Sequence, residues 1–396
     1  MALNDRAATA KPMKVLVAVT GGDLSGGAQQ VVRSLLYGLP QEGIEPVLVT
    51  GQESSLTDES RNLALATYVL RDLVRPIRPG NDLRALGMLK AVVRETHAEV
   101  IHGHSFKAGA LARLAGRGLR VPTVYTMHGW GAYYELPRPL RVAWLWLERC
   151  LSQDSTVAYV CESDRSLGIR AGLPSGHLIP VASPLRGEQR TNPREVDPAQ
   201  PVELLIVARL AMQKDPLATV RTLAVLRDAD PALQWHATWV GDGPLRQETM
   251  AESRRLGLDD RVSFAGSTSE ISRYYQEAHV FVLLSQYEGT PLSIIEAMRA
   301  RLIIVATAVG GVEEMLGQEC GVLVPAAASM RDRVGVLLRV LAEPQAYSGM
   351  RERAGARALR YDPSTMVARY AMLYRSLARH LAPPAAHKIP NARWSQ

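Results

Sequence analysis

Apolar runs alternating with amphipathic stretches, in two successive sets, constrain the fold of this 396-residue chain more than any other feature. In the first half VLVAVT, EPVLVT, EVIHGH, PTVYTMH and TVAYVC are short and largely apolar. Stretches such as NDLRALGMLKAVVRETHA lie between them with apolar residues at helical spacing. The second half repeats the plan with VELLIVARL, WHATWVG, RVSFAG, HVFVLLS, LIIVATAVGG and GVLVP. Strands that are apolar along their whole length and separated by helices are what a parallel sheet covered on both faces requires. Between the halves, residues 183–201 (SPLRGEQRTNPREVDPAQP) are polar, proline-rich and aperiodic, which marks a linker. An α/β protein with two doubly wound parallel sheets is expected, and a crevice between two such domains commonly binds ligands. After the second set, YDPSTMVARYAMLYRSLARHL opens on Asp362 and Pro363 and reads as a long terminal helix, followed by a tail expected to be mobile.

Composition narrows the class. An apolar share of 47% supports folded, globular structure. Cys150, Cys161 and Cys320 form no C-x-x-C pair, which argues against a disulfide framework and a zinc site, so a reducing cytosol is the expected compartment. The N-terminus passes from polar residues straight into a strand, without the apolar core of a signal peptide, and no apolar run approaches the length of a membrane span. The net charge of +7 is uneven: residues 61–149 hold fourteen Lys and Arg against six Asp and Glu. A field of that sign suits an anionic membrane surface or a phosphate-bearing acceptor. PRPLRVAWLWLERC, residues 137–150, mixes arginines with Trp144 and Trp146, as an interfacial helix or a helix packed on a sheet would. Nucleic acid is not expected, because basic and aromatic residues do not interleave in a recognised binding module.

The chemistry concentrates at predicted strand ends. HVFVLLS runs into QYEGTPLSIIEAM, which places Glu288 past a strand's carboxyl end and reads as an N-cap at Thr290 and a first helical residue at Pro291, followed by Leu292. Glu296 then falls in the second turn. A helix start carries unpaired N–H groups and partial positive charge, so Pro291 and Leu292 become candidates for contact with a phosphate, and the two carboxylates suit the hydroxyls of a sugar and a ribose. Arg209, at the end of VELLIVA, and Lys214 are placed to neutralise a diphosphate, one by a fork and one as a point charge. The GDGP turn, with Gly241 and Gly243, permits a tight bend and close backbone approach to a ligand. GGDLSGGAQQ, before a helix, suits an anion through backbone N–H groups, but it lacks the lysine of a P-loop. His128 follows the strand PTVYT; His102 and His104 end the neighbouring strand, with no evident third metal ligand, in a structural or acceptor-side role. No D-x-D has supporting context, and Asp259 and Asp260 are expected on the surface.

These motifs resemble, in order along residues 13–380, those of glycosyltransferase family 4: GGAQ, HG, R-x4-K, GDGP and E-x7-E, the last carried by EGTPLSIIEAM. The resemblance implies a GT-B fold of two Rossmann-like domains, with an acceptor-side domain over 1–185, a linker over 186–201 and a nucleotide-sugar domain over 202–362. It further implies a helix over 363–381 that crosses back to the first domain, before the 382–396 tail. It implies a retaining, metal-independent transfer from a nucleotide diphosphate sugar as co-substrate, without another cofactor, to a lipid-linked or glycan acceptor in cell-surface polysaccharide synthesis. A UDP-sugar is favoured and GDP-mannose is the other donor considered. Arg209 and Lys214 would hold the leaving diphosphate, Gly26, Gly27, Gly241 and Gly243 would lie near the nucleotide, His128 and Glu288 would grip the sugar, and Glu296 the ribose. VGGVEEML matches the family's glycine pair and following glutamate. Two departures stand out: HLIPVASPL lacks the Asn-Gly hinge, and Thr290 replaces an aromatic residue. The expected location is cytoplasmic, peripheral at the inner face of the plasma membrane. The alternatives are another GT-B enzyme, such as a nucleotide-sugar epimerase, and a non-catalytic sugar- or membrane-binding homologue.

Overall fold

The computed structural model describes residues 11–21, 26–183, 195–197 and 199–379; most of the expected linker and the whole 382–396 tail lie outside the described residues. The first sheet is built from β1 (Met13–Val19), β2 (Ile44–Thr50), β3 (Thr67–Val69), β4 (Val100–His104), β5 (Thr123–Met127), β6 (Thr156–Tyr159) and β7 (His177–Leu178), all parallel, in spatial order β3-β2-β1-β4-β5-β6-β7. In register, Leu16 faces Val47 on one side and Ile101 on the other. Its helices are α1 (Gly27–Gly38), α2 (Ser55–Asn62), α3 (Pro79–Thr96), α4 (Phe106–Leu119), α5 (Gly131–Glu135), α6 (Arg138–Ser152) and α7 (Glu162–Arg170). Alternate residues of β1 feed opposite faces: Val15, Val17 and Val19 pack beneath α1, while Leu16 and Ala18 pack beneath α3 and α4.

The second sheet repeats the architecture with β8 (Val202–Val207), β9 (Trp235–Val240), β10 (Val262–Gly266), β11 (Val280–Leu283), β12 (Ile303–Thr307) and β13 (Val322–Val324), in order β10-β9-β8-β11-β12-β13. Around it lie α8 (Pro216–Ala229), α9 (Arg246–Arg255), α10 (Ile271–Glu277), α11 (Leu292–Arg299), α12 (Gly311–Leu316), α13 (Met330–Ala342) and α14 (Ser348–Ala358). The last helix, α15 (Pro363–Arg379), buries Met366, Val367, Tyr370 and Tyr374 in the core of the first sheet. A Cβ on Gly38 of α1 would approach Val367 to 2.6 Å, so that glycine lets the two helices touch.

Every apolar run singled out in the sequence contains a strand. The edge strands β3 and β7 went unpredicted because three and two residues carry no readable period. In both sheets the strand order reverses beside the first strand, at β1/β4 and at β8/β11. Ligands of doubly wound sheets bind past the carboxyl ends of strands at such points.

Candidate active site

Arg209 and Glu288 follow β8 and β11, so they flank the reversal point of the second sheet. Glu288 is almost fully buried, and Lys214 Nζ lies 2.5 Å from its Oε1. Its other oxygen takes a 3.3 Å bond from Gln213 Nε2, which also donates to the Tyr287 carbonyl at 3.0 Å, while the Gln286 amide donates to the Gln213 carbonyl at 2.9 Å. The loops after the two strands are thus zipped together, and Glu288 is held in one orientation. Gln213, unremarked within R-x4-K, does much of this. Arg209 is exposed, and no hydrogen bond or ion pair engages its guanidinium among the described residues. A guanidinium so placed keeps its whole fork for an anion.

One expectation needs correction. Helix α11 begins at Leu292, so Pro291, extended at φ −70° and ψ 117°, is its N-cap and not its first helical residue. Thr290 is no cap; its hydroxyl donates to the Val160 carbonyl at 3.0 Å, across the domain boundary. Proline fits there because the N-cap requires an extended residue and leaves its own N–H unused. Glu296 remains in the second turn. It is half-buried, accepts from Ser183 Oγ at 2.8 Å and from Tyr275 Oη at 2.7 Å, and burial raises its pKa against the opposing pull of those two bonds. Each carboxylate oxygen retains a lone pair for a further donor.

The described part of GGDLSGGAQQ places Gly26 as the N-cap of α1 and Gly27 as its first residue. A Cβ on Gly27 would lie 3.9 Å from Leu292 Cδ1, so the starts of α1 and α11 stand side by side, one from each domain. Gly241, at φ +138°, and Gly243 have a clear structural requirement. Cβ atoms there would come within 2.2 Å of the Ala208 carbonyl oxygen and 2.3 Å of that of Leu210, so the close approach is to the backbone of the Arg209 loop.

His128 ends a buried chain. Its Nε2 is 2.9 Å from His104 Nδ1, His104 Nε2 is 3.2 Å from His102 Nδ1, and His102 reaches Tyr374 Oη at 2.6 Å and Thr126 Oγ1 at 2.7 Å. Thr126 continues to Tyr370 Oη at 2.8 Å. Burial lowers the pKa of His128 to about 4, and His102 and His104 fall well below the ordinary value for the same reason, aided by their neighbours. All three are neutral near pH 7, and the terminal helix α15 supports the chain through Tyr370 and Tyr374. The HGHS pair is therefore structural support for His128. Among the described residues no group of three His, Cys, Asp or Glu side chains could hold a metal ion.

Domain contacts close around this centre. The carboxylate of Glu314, the glutamate of VGGVEEML, accepts from the Glu162 amide at 2.8 Å and from the Ser163 amide, capping α7 from the other domain. Tyr287 Oη donates to Glu135 at 2.9 Å. A cavity of about 460 Å³ opens beside Glu288, lined from both domains by residues including Tyr134, Asp164 and Tyr287. The sequence had not singled out Asp164.

Two doubly wound domains with a cleft of this composition define a protein of the GT-B type. Residues 26–183 match the model of the glycosyl transferase 4-like domain, and residues 201–340 match that of the glycosyl transferases group 1. The chain belongs to glycosyltransferase family 4 and is a glycosyltransferase. It is 26% identical over 354 residues to the O-antigen biosynthesis glycosyltransferase WbnH of Escherichia coli, covering 89% of this chain and 95% of that enzyme. It is 25% identical over 303 residues to the UDP-Gal:alpha-D-GlcNAc-diphosphoundecaprenol alpha-1,3-galactosyltransferase of the same organism, covering 73% and 78%. Among solved structures, sucrose-phosphate synthase from Thermosynechococcus elongatus superposes with a TM-score of 0.77 at 21% identity, over 93% of this chain and all of that one. HepE of Anabaena, in complex with UDP-glucose, gives 0.74 at 19%, over 92% and 100%. At such identities the structural likeness speaks to fold alone.

Proposed function

We propose that this protein transfers a sugar, with retention, from a nucleotide diphosphate sugar to a hydroxyl of a lipid-linked or glycan acceptor in cell-surface polysaccharide synthesis. The observation that carries this reading is the convergence of Arg209, Lys214, Glu288 and two helix starts on one cleft. Arg209 and the N–H groups of Gly26, Gly27 and Leu292, beside Pro291, are suited to a diphosphate, and Lys214 adds charge while anchoring Glu288. Fixed donors aimed at a departing anion lower the barrier without reorganising, and cations already in place do what a metal would. Glu288 and the neutral His128 take the hydroxyls of the donor sugar, and Glu296, about one turn from the phosphate end, takes the ribose. With the acceptor on the same face as the leaving group, a diphosphate oxygen serves as base. No cofactor beyond the nucleotide sugar enters this scheme.

A UDP-sugar is the favoured donor, in keeping with the UDP-Gal in the name of one relative and the UDP-glucose bound in the HepE structure. The proposed location is the cytoplasmic face of the membrane. No described helix is long and apolar enough to cross a bilayer. Helix α6 buries Trp144 but exposes Val142 and, one turn on, Trp146, the latter by 65%, beside exposed Arg138 and Arg149. An apolar stripe flanked by arginines suits an anionic interface.

A thermal-shift panel of UDP-, GDP- and ADP-sugars tests the donor assignment, because a ligand that binds only the folded state raises the melting temperature by mass action. A rise with UDP-sugars is expected. No rise with any of them sinks the reading, and isomerisation of the donor without transfer would make the protein an epimerase.

A further inference from the structure

The first turn of α7 holds a carboxyl group for which the donor scheme has no use. Asp164 is the third residue of that helix and only 4% exposed. Its backbone carbonyl accepts from Trp130 Nε1 at 3.2 Å, and its carboxyl lies near the Cys161 thiol. Its Oδ2 is buried and has no hydrogen-bond partner among the described residues. Such an oxygen costs about 1–3 kcal/mol of lost solvation unless something supplies a donor.

The surroundings say what that donor is. A Cβ built on Gly289 would come within 3.2 Å of Asp164 Oδ2, and one on Gly129 within 3.9 Å. Those glycines directly follow Glu288 and His128, the two residues assigned to the donor sugar, so the orphaned oxygen sits in the seam between them. A Cβ on Gly289 would also meet the His128 carbonyl at 2.8 Å, so glycine there lets the two loops close around the carboxyl group. Asp164 lines the same cavity as Glu288, and on that wall the rings of Tyr134 and Tyr287 lie with centroids 5.3 Å apart. A carboxylate with two tyrosine rings beside it fits a molecule that offers hydroxyl donors on an otherwise apolar ring face, which is a pyranose.

We propose that Asp164 accepts a hydrogen bond from a hydroxyl of the acceptor, and that the unit of the acceptor entering the cleft is a sugar ring seated against Tyr134 and Tyr287. The assignment rests on the glycosyltransferase reading above and names the acceptor side of that site. Burial holds the carboxyl pKa up at about 7, and a hydroxyl donor favours the ionised form that accepts it.

The test offers p-nitrophenyl glycosides of glucose, galactose, mannose and N-acetylglucosamine as acceptors, with UDP-sugars as donors. Asp164→Ala is expected to raise the acceptor KM by about tenfold or more, the scale of a lost bond to a charged group, while the donor KM stays at the wild-type value. Tyr134→Ala, at a position 42% exposed, is expected to raise the acceptor KM by less. Should Asp164→Ala not fold, Asp164→Asn keeps the shape, removes the charge and shifts the acceptor KM in the same direction. An unchanged acceptor KM, or equal rises in both KM values, overturns the proposal. So does a wild-type protein that binds UDP-sugars yet transfers to none of the glycosides. Failure to bind any nucleotide sugar falls instead on the donor reading beneath it.

Discussion

The two domains build their halves of the cleft by different means. The second domain uses charged side chains on adjacent loops: Arg209 and Lys214 after β8, Glu288 after β11, and a glutamine between the cations that ties the loops together. The first domain contributes helix-start glycines and a buried neutral chain of His128, His104, His102 and Tyr374, whose last link joins residues 272 apart in sequence. One half is charged and tied together within its own sheet; the other is neutral and reaches from the first sheet to the terminal helix. The difference teaches where each half is vulnerable. In the proposed scheme the charged loop residues bear directly on the departing diphosphate, whereas the histidine chain bears on the shape of the pocket through packing.

If that contrast is right, the largest loss of rate comes from the second domain. Arg209→Ala should lower kcat by about 10²- to 10³-fold, the scale of one preorganised donor at a developing anion, with little change in melting temperature. Glu288→Gln should cost comparable rate. Normal transfer by both proteins in a radiolabelled-sugar assay would break the assignment.

In the first domain the next effect is on stability and follows Asp164. Burial, reinforced by Glu314 and opposed by the Cys161 thiol, lifts its folded pKa to about 7, above its unfolded value. The sign follows from proton linkage: this contribution is fully present below the unfolded pKa and is lost as pH rises through the folded one. Melting temperature should therefore decline between about pH 4 and 7 more steeply in the wild type than in Asp164→Asn, as followed by circular dichroism. Equal slopes would show that Asp164 does not set this dependence.

Tyr374→Phe probes the neutral chain from its far end. It removes the hydroxyl at His102 Nδ1 in a fully buried site, and calorimetry should register a loss of about 1–3 kcal/mol. The accompanying fall in kcat should be smaller than for Arg209→Ala. A larger one would erase the distinction between the halves. The smallest effect belongs to the outer face of α6: Trp146→Ser should weaken co-sedimentation with anionic vesicles and leave transfer to a soluble acceptor unchanged.

Much of this organisation was readable along the chain. Apolar runs with helical stretches between them announced two parallel sheets, and Arg209, Lys214 and Glu288 stood out because strand ends in such sheets are where ligands sit. The start of α11 was misjudged by one residue, since proline tolerates both the N-cap and the first helical position. Thr290 instead found an acceptor in the other domain. Gly241 and Gly243 were read as sites of close backbone approach to a ligand, and the approach seen in the fold is to the backbone of the Arg209 loop. Asp164 carried no signal: an aspartate in CESDRS after a strand reads as a helix-start residue, and its burial comes from Trp130, Gly129 and, across the domain boundary, Gly289.

By itself the sequence determined the layers and the strand-end positions of Arg209, Lys214 and Glu288, because periodicity and strand-end position are local properties of a chain. Tertiary structure alone decided that three histidines form one supported chain, that Glu314 caps a helix of the opposite domain, and that a carboxyl oxygen lies unpartnered between Gly129 and Gly289. Burial and hydrogen-bond partnership depend on segments far apart in sequence meeting in space, and no local pattern encodes that meeting.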